Sequence, residues 1–76
     1  MEMVMNKVTA IVVTNHGNHR VSQWDSNRNT TQRIKTWLKE FILPSLAQTE
    51  IILSMSIFIG VDRMEYDTRE VVETFT

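Results

Sequence analysis

Apolar and polar positions alternate most clearly near the start of the chain. From Lys7 to Thr14, Val8, Ala10 and Val12 share one face while Thr9, Ile11 and Val13 share the other, the two-residue period of a β-strand built from β-branched residues. Asn15-His16-Gly17-Asn18 follows, and asparagine and glycine tolerate positive φ, so the chain reverses into a second strand over His19–Trp24 and closes a β-hairpin. Asp25-Ser26-Asn27-Arg28-Asn29 reads as a polar loop, because short side chains that bond their own backbone compete with both kinds of ladder.

The period then changes. Ile34, Trp37, Leu38, Phe41 and Ile42 recur at helical spacing, with Arg33, Lys35, Thr36, Lys39 and Glu40 on the opposite side, which predicts an amphipathic helix whose stripe, Phe41 included, faces a sheet. Asn29 or Thr30 is placed to cap it, with Gln32 completing an imperfect capping box. Pro44 ends the helix near Leu43 or kinks it. Leu46 keeps the phase of the stripe, which favours a kinked helix running to about Gln48.

Ile51 to Val61 alternates again. Ile51, Leu53, Met55, Ile57, Ile59 and Val61 form the set expected to face the helix, and Ile52, Ser54, Ser56, Phe58 and Gly60 form a mixed set on the other side. Asp62–Asp67 reads as a charged connection. Glu70–Phe75 is expected as a last strand from its β-branched pair and threonines, although Met64, Thr68, Val71, Val72 and Phe75 also fit a helix. The expected fold is α+β: a small antiparallel sheet with one helix packed across it, in the order ββαββ.

At 76 residues the chain holds one domain, residues 1–76, whose core is small because such a chain buries only about 60–65% of its unfolded surface. The absence of cysteine excludes disulfides, thiolate zinc sites and a cysteine nucleophile. Glu2 stands where a signal peptide would carry a cation, and no apolar run approaches the ~20 residues of a membrane span, so a cytoplasmic protein is expected.

Candidate chemistry is sparse. His16 and His19 at the hairpin tip lack a third ligand at metal-binding spacing. Asp25-x-Asn27-x-Asn29 opens like a calcium loop, but Thr30 replaces its glycine and Thr36 its bidentate glutamate. With only Gly17 and Gly60 there is no phosphate-cradling loop, and no serine lies in a nucleophile-elbow setting. The carboxylate pairs near the C-terminus read as solvated charges. No catalytic residue, cofactor or metal is therefore expected, and the chain is not read as an enzyme.

Net charge is −1 but unevenly spread. Arg20, Arg28, Arg33, Lys35 and Lys39 against Asp25 and Glu40 make the segment from Asn15 to Glu40 locally +3, whereas Asp62 to Thr76 is locally −3. Two functions follow as expectations. The first is a protein-binding inhibitor or adaptor that docks, on a different protein or on a second copy as a homodimer, through apolar residues on the uncovered sheet face: Ile11, Val13, Ile52 and Phe58. Size and build resemble those of phage and mobile-element proteins acting on host complexes, an analogy of style and not of motif. The second is a nucleic-acid-binding regulator whose basic face, Arg20, Arg28, Arg33, Lys35 and Lys39, follows phosphates beside Trp24.

Overall fold

A computed structural model describes residues 6–75; residues 1–5, on which the absence of a leader was read, and residue 76 lie outside the described residues. Strands β1 (Lys7–Thr14) and β2 (His19–Asp25) form the expected antiparallel hairpin, in the register Val8↔Trp24 to Val13↔His19. Its tip is a type I turn closed by a left-handed residue: Gly17 N–H donates to the Thr14 carbonyl, Thr14 N–H donates to the Asn18 carbonyl, and Gly17 sits at φ +75. Glycine is favoured there because a Cβ disfavours that φ.

After β2 a helix of sixteen residues begins at Thr30. It runs as α1 (Thr30–Trp37), then a π-helical turn over Leu38–Ile42, then a 3-10 turn over Leu43–Ser45. Neither Asn29 nor Thr30 caps an end amide through its side chain as expected; Asn27 instead accepts from Asn29 N–H through Oδ1 (2.8 Å) and from Thr30 Oγ1 through its carbonyl (2.9 Å). The helix stops at Ser45 and does not kink through to Gln48.

Pro44 explains both the stop and the wide turn. It has no N–H for the Glu40 carbonyl, and its ring crowds that carbonyl in a regular helix. Opening the turn just before it relieves the clash, and Leu43 N–H donates to the Leu38 carbonyl five residues back. The extra residue resets the phase. Ile34, Leu38 and Ile42 are each at most 2% exposed, whereas Phe41 is rotated out and is 63% exposed. The expectation that Phe41 faces the sheet is thereby corrected.

Strand β3 (Ile52–Ile59) pairs antiparallel with β1, and β4 (Asp62–Asp67) with β3, completing the order β2-β1-β3-β4. The segment read as a charged connection is thus a strand. Its two-residue turn, Gly60-Val61, closes on the pair Ile59↔Asp62 with Gly60 at φ +59 and no positive φ at Val61, the pattern of a type II′ hairpin. The segment read as a last strand is helix α2 (Thr68–Phe75). Asp67 and Glu70 explain the change: Glu70 Oε2 accepts from Asp67 N–H and Asp67 Oδ1 accepts from Glu70 N–H, both at 3.0 Å, a reciprocal capping box. Arg69 and Glu73 add an i,i+4 ion pair at 3.1 Å.

Both helices cover one face of the sheet. Val8, Ala10, Val12, Met55 and Ile57 from the strands meet Ile34, Leu38 and Ile42 from α1 and its π turn and Val71 and Phe75 from α2. Tyr66 meets Phe75 edge-on at 5.2 Å. A register shift at Val13/Thr14 pairs Thr14 with Ile52 and leaves Leu53 as the extra residue, 44% exposed. Beyond the bulge, alternation is inverted. Ile52 therefore packs against the core and not on the uncovered face where it was expected.

The helix phase is directly testable by urea denaturation. Leu38→Ala should cost about 2–5 kcal/mol, as large-to-small changes at fully buried sites do, while Phe41→Ala should change stability by less than about 1 kcal/mol. Equal losses would place Phe41 in the core.

Candidate protein-binding surfaces

The uncovered sheet face follows from the register. Rows Thr9–Phe58–Arg63, Val21–Ile11–Ser56–Glu65 and His19–Val13–Ser54–Asp67 run across it. Ile11, Val13 and Phe58 do lie on this face and are half-buried, but Ile52 does not join them. The Arg63 guanidinium stacks over the Phe58 ring at 5.3 Å and pairs with Glu65. This face is accordingly narrower and more polar than its sequence suggested.

The five cations grouped as a basic face do not act together. Arg20 turns inward, where Nη1 lies 3.4 Å from Glu50 Oε2 and Nη2 donates to the Ser45 carbonyl at 3.4 Å. At about 100° per residue, Lys35 stands about 200° around the helix from Arg33, and Lys39 stacks one turn beyond Lys35. Arg33 alone of the five lines the groove beside β2, preceded by exposed Arg28 in the loop.

That groove has a volume of about 390 Å³, with Ser22 and Trp24 from β2 on one wall. Gln32, Arg33, Thr36, Trp37 and Phe41 line the other, and Asn29 closes the end. The Arg33 guanidinium lies 5.7 Å from the Trp24 ring centroid. Trp24 is only 8% exposed, and its indole N–H is buried without a hydrogen-bond partner among the described residues. A second concavity, about 240 Å³ and almost wholly apolar, lies between the end of the long helix and α2, with Leu43 and Ile51 at its rim.

Sequence reasoning overlooked Glu50, which is 6% exposed and ties the hairpin to the segment before β3. Thr14 Oγ1 donates to Glu50 Oε2 at 2.5 Å and Asn18 Nδ2 at 2.7 Å, while Ala47 N–H donates to Oε1 at 3.1 Å. Asn15 completes the clamp: its Nδ2 donates to the Thr49 carbonyl and its Oδ1 accepts from Ile51 N–H. Of the two histidines, His16 meets Thr49 Oγ1 at 3.2 Å and His19 is exposed.

No protein-family model, curated protein or solved structure matches the chain. Among the described residues, no helix is long and apolar enough to cross a membrane.

The Glu50 clamp predicts a pH dependence. Its carboxyl is held at about 2, below the ordinary 4.5, by donation first from Thr14, then Asn18 and the Ala47 amide, with Arg20 adding a smaller pull; burial opposes them. Because the unfolded chain takes up this proton at a higher pH than the folded one, the stabilisation is complete above about 4.5 and declines as pH falls toward 2. Melting temperatures measured between pH 7 and pH 2 should fall less for Glu50→Gln than for the wild type. Parallel curves would remove Glu50 from the acid transition.

Proposed function

We propose that this protein is a non-catalytic protein-binding module, an inhibitor or adaptor, that receives its partner in the groove between β2 and the long helix. The observation that carries the reading is Phe41. A 63% exposed phenylalanine at the edge of a groove walled by two tryptophans and an arginine presents the residue types that dominate protein interfaces. The backbone irregularity that exposes it is a π turn, a feature enriched at functional sites. The groove lining contains hydroxyls from Ser22 and Thr36 but no histidine or carboxylate to act as a general base, which supports binding over catalysis.

Nucleic-acid binding is the second reading, resting on Arg28 and Arg33 beside an aromatic groove. Against it, Trp24 is nearly buried and already carries Arg33 near its ring, so little indole surface remains for a base to stack upon.

A photo-crosslinking phenylalanine analogue at position 41, with the same group at fully exposed Val61 as control, tests both readings in cells of the source organism. One protein adduct specific to position 41, and reconstituted with the purified partner, is the expected result. Nucleic-acid adducts, combined with salt-sensitive retention on a DNA column, would promote the second reading; the same adducts from both positions would remove the groove from the interface.

A further inference from the structure

Resting on the protein-binding reading, we infer that the partner enters as an extended segment that adds a fifth strand to the outer edge of β2, bearing a carboxylate and a bulky apolar side chain two residues apart. The backbone is prepared for this. At opposite ends of the β1–β2 ladder, Thr14 N–H donates to the Asn18 carbonyl at 3.1 Å and Ser26 N–H to the Asn6 carbonyl at 2.8 Å. Antiparallel alternation between those bonds turns the peptide groups of Arg20, Ser22 and Trp24 toward β1 and those of Val21 and Gln23 outward. No described strand lies beyond β2, so these outward groups form a ready ladder edge.

The two sheet edges differ in how they are guarded. β4 carries Asp62, Arg63, Glu65 and Asp67 in six residues, the dense charge that discourages strand addition. Between Arg20 and Asp25, β2 presents Val21, Ser22, Gln23 and Trp24, with neither charge nor proline, and Val21 is 55% exposed. The open edge is the one that borders the aromatic groove.

Side-chain chemistry sets the occupant. In an added strand, alternate side chains point into the groove about 6.6–7 Å apart. The loop from β2 to the helix is short, so the first helical turns lie beside Trp24, as the Arg33–Trp24 contact shows, and the later turns lie beside Ser22. Arg33 and Trp37 are one turn apart, a rise of about 6 Å, close to that strand spacing. The Arg33 guanidinium forms no ion pair among the described residues. A carboxylate opposite Arg33 would meet an uncompensated cation, and the side chain two residues along would meet Trp37 and Phe41.

Panning a random linear dodecapeptide library on the full chain tests this. Enriched peptides should carry Asp or Glu two positions from a large apolar residue and shift the amide resonances of Val21 and Gln23. Val21→Pro, which deletes one outward donor at an edge where proline is tolerated, should weaken them at least tenfold. Arg33→Glu tests the same pose without altering the backbone and should reverse the selection toward Lys or Arg. Tight binders that lose affinity in Phe41→Ala but not in Val21→Pro, with the acidic preference absent, would overturn strand addition and leave the protein-binding reading standing. Peptides that perturb only the Leu43–Ile51 concavity would overturn the inference. Failure to enrich any binder, together with no adduct from position 41, would overturn both readings.

Discussion

Pro44 is the constraint on which the arrangement of the helical layer depends. A regular helix carrying the stripe Ile34, Trp37, Leu38, Phe41, Ile42 would press Phe41 against the sheet and leave Ile42 at the margin. The proline prevents a regular last turn, and the π turn that precedes it inserts one residue into the phase. Ile42 then stacks over Leu38 in the core, and Phe41 moves to the groove beside Trp37. One missing backbone donor thus determines both what the core contains and what the surface presents.

A second junction determines where β3 begins. After Ser45 the chain returns to the sheet through residues 46–51, of which Leu46 alone packs against the core. Glu50 supplies the anchor by accepting from Thr14, Asn18, Arg20 and the Ala47 amide. A carboxylate that is 6% exposed would be costly alone, but here each oxygen has a donor. The clamp joins the hairpin tip to the entry of β3 and sits next to the bulge that turns Ile52 inward. Arg20, which by charge alone resembled a surface cation, belongs to this junction.

The hairpin β1–β2 and the buried positions of β1 were legible because their signals are local: a period of two, β-branched residues, and Gly17 where positive φ is needed. The helix was legible in place and direction, but its last turn was not, since a hydrophobic stripe cannot reveal that a downstream proline will change the phase. At the C-terminal end, local signals were present and outweighed. Gly60 marks a two-residue turn, and Asp67-x-x-Glu70 marks a helix start, yet charge at Asp62, Arg63, Glu65 and Asp67 resembled a solvated loop. An edge strand with one half-buried residue, Tyr66, can be that polar because only one side of it packs. Glu50 was not legible at all, for its side-chain partners Thr14, Asn18 and Arg20 lie 30 or more residues away in sequence and only the Ala47 amide is local. The groove failed to emerge for the same reason: it is made by β2 and a helix whose phase depends on Pro44.

These features bear on how so small a chain can present a binding surface. With a single core face and an expected stability of only about 4–11 kcal/mol, it has little capacity for exposed apolar area that contributes nothing to folding. Trp24 and Trp37 meet that limit by serving on both sides: each packs against the core cluster, and each also forms a groove wall. Phe41 differs from the two tryptophans in being 63% exposed, and turning it outward requires only the π turn that Pro44 already imposes. The exposed aromatic therefore adds little conformational cost beyond that of ending the helix, and it stands next to the sheet edge whose central residues, 21–24, carry no charge.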